Sequence, residues 1–492
     1  MELNQTTICY YDKRLARISV CTESADSIVP DAFPDIGHVI CAYGTAVIKD
    51  QTPQTGRLLI SGTVQTTVLY APEKGSGLRM LHVPINFAHI EECDGLDVNA
   101  VCHVCCRVAS VEAVPVNSRK INVNAQLCFE SECYCKSECT LTEQISLPKI
   151  EMLCSPVSMV FIEQAQSCPV TVLEDTPMQD AAGLQLLHSI CTLRMSECRA
   201  MHGKVVLKGE ADMQCLALQE DGAVRTLNSS TPFTQILEMT DAEEGDTVAA
   251  DLAVRESDCR LEADGLLSYT ISASALITLR RAKTIQQIQD LYLPGKDLQL
   301  QQEQVLLHSI PDAVPFTGET TETLHVSGQA ARIIAADAIC CGVKRSASDG
   351  SVQLTAAVQV LYQDDNQRLC AIQRIIPLSI PCAVEGDLSH IALHTRAAAS
   401  GENGVLLNIS AAGDALSDTR TAFRHITAAE IGEKASSKDG ITLILRHIGK
   451  EQQLWEIAKS CSTTVAAIRR ANGLPDDAVS VSQTMLLIPI QS

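Results

Sequence analysis

One unit recurs three times along the chain, and this repeat restricts the fold more than any other feature. An aliphatic strand segment ends in Val68-Leu69-Tyr70, Cys215-Leu216-Ala217 and Val360-Leu361-Tyr362, at offsets of 147 and 145 residues. Each copy then reaches a proline and an acidic-glycine pair: Pro84, Pro232 and Pro377, then Asp94-Gly95, Glu244-Gly245 and Glu385-Gly386. Because several landmarks recur in the same order, the chain should fold as three related units.

The strand segments alternate apolar and polar residues, which puts the apolar residues on one face. In the second copy Val205, Leu207, Ala211, Met213 and Cys215 share one face, and Lys208, Glu210, Asp212 and Gln214 share the other. One buried and one solvated face is typical of antiparallel sheets. The pattern predicts a mainly β protein of tandem antiparallel β-sandwich-like repeats. It leaves open whether each repeat is a separate sandwich or the first two share a sheet.

The repeat spacing divides the chain into units. We place β-domains at 1–150, 151–295 and 296–427, a linker at 428–440 and a small domain at 441–492. Alternation fails at 36–41 and 285–291, where short helices are expected. The linker is polar and rich in small residues, which predicts a tail that is tethered with some freedom.

The tail contains the only tryptophan of the chain, Trp455. Leu454, Ile457, Ala458 and Cys461 have the spacing of one buried helix face. A second helix should begin after Thr464, a favourable N-cap, and end at Gly473. Strands are expected at 443–447 and 485–489. The order predicts a small α+β domain with a βααβ arrangement.

This series resembles a LysM domain in Leu454-Trp455, Thr463-Thr464-Val465, Asn472-Gly473-Leu474 and Leu487-Ile488-Pro489. LysM domains are best known for binding the N-acetylglucosamine-containing glycan of peptidoglycan, in a groove between the loops ahead of the first helix and the second strand. The resemblance implies these groove residues: Gly449, Lys450, Glu451, Gln452, Gln453, Leu454, Trp455, Pro475, Asp476, Val479 and Ser482.

The groove positions depart from the LysM pattern. The family usually carries Gly-Asp-Thr where Glu451, Gln452 and Gln453 stand, and a glycine at the place of Ser482. Gln is also a poorer helix cap than Thr, by about 0.5–1 kcal/mol. We therefore expect the tail to bind a protein, and keep peptidoglycan glycan as the alternative ligand.

The first copy resembles the SPOCS domain of sporulation proteins. The resemblance rests on Val29-Pro30-Asp31, on the Gly56 to Tyr70 strand and on Asn117-Ser118-Arg119. SPOCS units followed by one LysM domain are the layout of SipL/SpoVID-like spore coat morphogenetic proteins. This resemblance implies a non-enzymatic scaffold in the mother-cell cytoplasm, at the forespore surface, that binds the coat-basement ATPase SpoIVA.

Charge and hydropathy exclude some other functions. A net charge of −21 argues against nucleic acid and against anionic membranes, because both attract basic surfaces. The start, Met1 to Gln5, lacks the basic and apolar regions of a signal peptide, and no apolar run reaches the roughly 20 residues of a membrane helix. We expect a cytoplasmic chain without a transmembrane segment.

The 22 cysteines are expected to be free thiols in that compartment. Cys102, Cys105 and Cys106 suggest a zinc site, but a strand would send Cys105 to the face opposite the other two. We therefore favour core packing over a zinc-stabilised domain, and predict no metal and no cofactor. Ile391 and Leu393 alternate with His390 and His394, which predicts a strand with both histidines on its outward face.

The sequence offers no support for catalysis. None of the Gly-Lys pairs sits in a P-loop, and no Gly-x-Ser-x-Gly elbow occurs. We therefore assign no catalytic residues.

Overall fold

The computed structural model describes the chain except for residues 1, 76, 220–221, 311–312, 327–329, 346–350, 383–384, 402–403, 418, 433–441 and 491–492. Antiparallel strands make up most of the described chain, and both of its helices lie in the tail. The predicted mainly β class, with a small α+β tail, is confirmed. No helix in the described ranges is long and apolar enough to cross a membrane.

The first copy is a two-layer sandwich of six strands: β1 (Glu2–Ile28), β2 (Ile36–Gln54), β3 (Arg57–Pro72), β4 (Arg79–Glu92), β5 (Val101–Asn117) and β6 (Lys120–Ser146). β2, β3 and β4 form one sheet, while β6 lies between β1 and β5 in the other. Alternate residues of β3 and β6 face each other across the layers; Leu58, Val64, Ile121 and Val123 are fully buried there.

The second copy repeats this plan with β7 (Glu151–Pro177), β8 (Gln185–Met201), β9 (Lys204–Leu218), β10 (Val224–Glu238), β11 (Thr247–Leu261) and β12 (Leu266–Tyr292). The inward positions predicted for its central strand, β9, are all buried. A single backbone pairing, Tyr11 with Ile162, joins β1 to β7. The first two copies therefore share one six-stranded sheet, in the order β11-β12-β7-β1-β6-β5.

The third copy has the same layout, but its two longest strands are each divided. Its elements are β13 (Leu298–Ser309), β14 (Val314–His325), β15 (Ala330–Arg345), β16 (Ser351–Asp364), β17 (Leu369–Pro381), β18 (Asp387–Ser400), β19 (Gly404–Leu416) and β20 (Thr419–Ile431). β13 and β14 correspond to β1, and β19 and β20 correspond to β6. Gly350, at the start of the third strand segment, lies outside the described residues.

The short helices predicted at 36–41 and 285–291 are wrong, because both segments are strands. β2 changes register between Ile36 and His38 and again between Val39 and Cys41, and β12 does so between Ile288 and Asp290. Each β-bulge inserts an extra residue and interrupts the apolar alternation. β20 also extends to Ile431, into the segment assigned to the linker; the linker residues 433–440 lie outside the described part. The domain boundaries stay a prediction.

The three copies meet at a common apolar centre. Leu69, Leu216 and Leu361 occupy the same repeat position, are each at most 5% exposed, and lie in one hydrophobic cluster. The equivalent residues Leu78, Val224 and Leu369 join the same cluster. The copies are therefore arranged around an approximate threefold axis, and the outer faces of the β3, β9 and β16 sheets are partly buried between copies.

The long strands continue beyond the sandwiches as three two-stranded ribbons that pack together. One cross-strand pair from each ribbon enters a shared hydrophobic cluster: Ile8 with Cys139, Val157 with Ile285, and Val305 with Phe423. Thr142 Oγ1 donates a hydrogen bond to the Ile426 carbonyl at 2.7 Å, which links the first ribbon to the third. The ribbons thus form a stalk that shares the threefold arrangement.

A partly buried group of ionisable residues also joins all three copies. His103 Nε2 of β5 lies 3.0 Å from Asp251 Oδ2 of β11. His390 Nε2 of β18 lies 3.4 Å from the same Asp251 oxygen and 3.8 Å from Glu132 Oε1 of β6. On its other side, His390 Nδ1 lies 3.6 Å from Asp414 Oδ2 of β19.

His390 was expected on an outward face. It lies outside the core of the third sandwich, but the other copies cover most of its side chain, which is 27% exposed. The register of β18 shifts between Ser389 and Ala392, and His390 has a positive φ of 53°. This bulge turns the imidazole into the contact between copies. The backbone N–H of His390 donates to Glu130 Oε1 at 2.9 Å. His394 is exposed, as predicted.

The tail comprises β21 (Leu443–Ile448), β22 (Gln452–Gln453), α1 (Leu454–Ser460), α2 (Val465–Asn472), β23 (Ser480–Val481) and β24 (Thr484–Pro489). Thr464 caps α2 by accepting a hydrogen bond from Ala467 N, and Gly473 ends it with a φ of 62°. The predicted βααβ order and both helix caps are confirmed.

The tail packs on the ribbon of β7 and β12, although a tail tethered with some freedom was expected. Trp455 Nε1 donates to Asp290 Oδ2 at 2.8 Å, and Lys459 Nζ lies 2.6 Å from the same oxygen. The Tyr292 hydroxyl donates to the Thr463 carbonyl at 2.8 Å, and its ring meets the Trp455 ring edge-on at 5.0 Å. Burial opposes the Asp290 charge, but the hydrogen bonds from Lys459 and Trp455 hold its pKa below the usual value.

The His390 junction should make stability depend on pH at the alkaline side. Burial disfavours the imidazolium, but Asp251, Asp414, Glu132 and Glu130 outweigh it and raise the pKa of His390 to about 10. Its contribution is therefore complete below about pH 6.5 and is lost as pH rises through 10. One group changes the free energy of unfolding by at most about 1.4 kcal/mol per pH unit.

We expect urea unfolding of the reduced protein to show a larger loss of stability between pH 7 and pH 9.5 for the native chain than for His390→Asn. Asn tolerates a positive φ, so the variant removes the charge without straining the bulge. Equal losses in both proteins would show that His390 does not carry this pH dependence.

The Asp290 contact should be visible in the fluorescence of Trp455, the only tryptophan. Asp290→Ala removes a charge-assisted hydrogen-bond network, which typically contributes about 1.5–3 kcal/mol per bond. We expect the tail to leave the ribbon in part, and the indole, now 8% exposed, to emit at longer wavelength. Gln289→Ala removes an exposed neighbour on the same strand and should leave the spectrum unchanged. An unaltered spectrum for Asp290→Ala would contradict the docked arrangement.

Candidate partner-binding groove of the tail

The two loops of the predicted groove are joined by backbone pairing. Gln452 pairs with Val481 and Gln453 with Ser480, as the short strands β22 and β23. The Leu454 N–H then donates to the Val479 carbonyl at 2.9 Å. The loop ahead of α1 and the loop ahead of β24 are therefore held at a fixed separation.

A side-chain contact closes the same gap from the solvent side. Ser480 Oγ donates to Glu451 Oε1 at 2.6 Å, and both residues lie at the mouth of the groove. Sequence reasoning did not single out Ser480, because only its pairing with Gln453 across the two loops reveals its place. Glu451 thus replaces a small family residue with a side chain that spans the groove.

The second loop is fixed from the helix side. The guanidinium of Arg469 on α2 donates to the Ala478 carbonyl through Nε at 3.0 Å and through Nη2 at 2.6 Å. Arg469 was missed because it has the appearance of an ordinary charged residue near the end of a helix. Its bidentate contact presents Val479, which is 67% exposed, to solvent.

The predicted groove residues divide into two groups. Gly449, Lys450, Glu451, Gln453, Pro475, Asp476, Val479 and Ser482 are exposed, and Gln452 is half-buried. Leu454 is a core residue of the tail, and Trp455 faces the ribbon instead of the solvent. The exposed group lies on the two joined loops. The assignment of the set to ligand binding stays a prediction.

The start of α1 also departs from a capped helix. Gln453 occupies the N-cap position with extended backbone, and its side chain makes no capping hydrogen bond. Its amide, the Gln452 amide, the Glu451 carboxylate and the Lys450 ammonium give the exposed loop both donors and acceptors. These groups suit hydrogen bonding to peptide or hydroxyl groups.

The cysteine-rich stretch is part of the first sandwich. Cys102 and Cys106 are buried in its core with Val104, and Cys102 Sγ lies 3.0 Å from Cys133 Sγ on β6. All 22 cysteines are free thiols. In the part of the chain that the structure covers, no group of three or more His, Cys, Asp or Glu residues is arranged to hold a metal ion.

Two family models match the chain. The model described as SipL, SPOCS domain, matches residues 35–130 and 184–262, which lie in the first and second copies. The LysM domain model matches residues 447–487. No curated protein and no solved structure matches the chain. Both families are known as binding domains and not as catalysts. The matches give the chain the domain order of a SipL-like protein, with SPOCS domains followed by a C-terminal LysM domain.

Proposed function

We propose that the chain is a non-enzymatic scaffold of spore-coat assembly that binds a SpoIVA-like coat-basement ATPase through its LysM tail. The closure of the two groove loops by Glu451 and Ser480 is the observation that carries this proposal. The scaffold would act in the mother-cell cytoplasm, at the surface of the forespore. This setting rests on the sporulation family of the SPOCS domains.

The shape of the loop region favours a protein ligand. A sugar ring needs a recess, and the paired strands and the Glu451 side chain occupy the space between the loops. What remains exposed on the two loops is a set of amide, carboxylate and ammonium groups together with Val479. Polar groups around an apolar centre are the usual composition of a protein–protein contact.

The β-repeats would present the tail in a fixed orientation. The tail is held by Asp290 and Tyr292 on the ribbon, and the groove residues Glu451, Gln453 and Val479 stay exposed. The whole chain carries a charge of −21, whereas the tail, residues 442–490, has five Lys or Arg and four Asp or Glu. An acidic body with a nearly neutral tail suits a partner whose nearby surface is basic.

Removal of residues 442–492 should abolish binding to purified SpoIVA-like ATPase in a pull-down with the full chain as reference. Circular dichroism should show that the truncated β-repeats stay folded. The triple variant Glu451→Ala, Gln452→Ala, Gln453→Ala should weaken binding by at least about tenfold, equivalent to 1.4 kcal/mol. Glu456→Ala, on the exposed side of α1, is the matched control. Undiminished binding by the truncated chain would refute the proposal.

Peptidoglycan binding is the second candidate function, because the LysM model matches the tail. Sedimentation of the full chain with insoluble peptidoglycan tests it directly, with the truncated chain as control. We expect no retention at micromolar protein, since the groove between the loops is closed. Retention that depends on residues 442–492 would instead establish the tail as a glycan-binding module.

A further inference from the structure

The small sheet of the tail has one closed edge. On the outer edge of β24, the Leu487 N–H donates to Asn472 Oδ1 at 2.7 Å, and Asn472 Nδ2 donates to the Leu487 carbonyl at 2.6 Å. The last residue of α2 therefore satisfies the backbone groups at the centre of that edge with its side-chain amide. An additional strand cannot pair there without displacing Asn472.

The other edge, on β21, is open within the described part of the chain. The Ile490 N–H donates to the Thr442 carbonyl, so the pairing alternates and the backbone groups of Leu443, Leu445 and His447 point away from β24. No hydrogen bond to these outward groups occurs among the described residues. A strand edge of this kind accepts a further strand.

The solvent face of the same sheet is apolar. Leu443 is 53% exposed, Leu445 60%, Met485 51% and Leu487 37%. Leu445 lies directly opposite Leu487, and Leu443 opposite Pro489, so these side chains form one continuous patch. Other exposed apolar residues of the described chain are mostly scattered among the β-repeats. A contiguous exposed patch of this type marks an interaction surface.

We propose that the open edge of β21 binds an extended segment of the tail's protein partner, which adds a third strand to the sheet. This inference rests on the proposed function, because it takes the tail to be the binding module. The outward backbone groups require a strand, and the patch requires apolar side chains at alternate positions of that strand. β21 leads directly into the loop at Gly449, so this surface continues into the proposed groove contact.

The charge balance decides between a foreign strand and a second copy of this chain. Pairing of two β21 edges would bring together two chains that each carry −21, which electrostatic repulsion opposes. The tail itself is nearly neutral and carries Arg446 on β21. The geometry and charge favour a largely uncharged partner segment of about five residues with alternating apolar side chains.

The test compares three variants of the full chain by their affinity for purified SpoIVA-like ATPase. Leu445→Ala removes the side chain and keeps the outward N–H. Leu445→Pro also removes that N–H, and proline is tolerated where a strand's N–H faces solvent. We expect Leu445→Pro to weaken binding at least tenfold more than Leu445→Ala. Val479→Ala, on the groove loop, should reduce affinity through the loss of a side-chain contact alone, because its backbone N–H is kept.

Trp455 fluorescence and circular dichroism establish that each variant stays folded. If Leu445→Pro disrupts the tail, a photo-crosslinking residue at position 445 replaces it. Crosslinking to the ATPase at 445, but not at the exposed position 456 on α1, supports the strand contact.

Three results would overturn the inference. Equal affinities of the Ala and Pro variants would exclude backbone pairing. If both variants also kept full affinity while truncation still abolished binding, the proposed function would stand, but the β21 edge would have no part in it. A concentration-dependent dimer that Leu445→Pro abolishes would assign the edge to a second copy. Binding that survives truncation would refute the proposed function itself.

Discussion

The packing of three equivalent leucines between the copies is the contact on which the rest of the architecture depends. Leu69, Leu216 and Leu361 lie on the faces of their central strands that point away from each sandwich core. In an isolated two-layer unit these side chains would face water, and burial of each stabilises the assembly by roughly 1.5–3 kcal/mol. The repeat thus becomes one body in which each copy covers an apolar surface of the other two.

Apolar burial alone does not fix how three similar units are oriented, and the charged junction supplies that information. His103, Asp251 and His390 come from different copies, on the corresponding strands β5, β11 and β18. Two of these residues are histidines and one is an aspartate, so the three copies contribute different side chains. Removal of one partner from such a partly buried group leaves a charge that is less well compensated. A rotated arrangement of the copies would leave Asp251 without its imidazoles, so the junction selects one order of the three.

Strand faces were predictable from the sequence because they depend on neighbours in the chain, whereas contacts between copies were not. The inward residues of β9, the helix cap Thr464 and the αL residue Gly473 follow from local spacing. The bulge at His390 and the contact of Asp290 with Trp455 join residues far apart in sequence, and no periodicity marks them.

Residue differences between the copies also hide the repeat. Gly62 pairs with Phe87 and Gly209 pairs with Phe233, but in the third copy Leu354 pairs with Leu378. The Phe ring covers the glycine, where a Cβ would overlap the ring. Two leucines fill the same space in the third copy, so the Gly–Phe pattern is absent there.

The attachment of the tail links this rigid body to binding. Asp290 and Tyr292 lie at the end of β12, where the stalk ends. Both contact Trp455, the one aromatic residue that a LysM resemblance would assign to the groove. With Trp455 used for attachment, the exposed surface consists of the joined loops and the sheet of β21 and β24. Both surfaces are exposed, and both offer backbone or amide groups next to apolar side chains. A module that contributes its aromatic residue to its own scaffold has less to stack on a sugar ring and more surface to offer a protein chain.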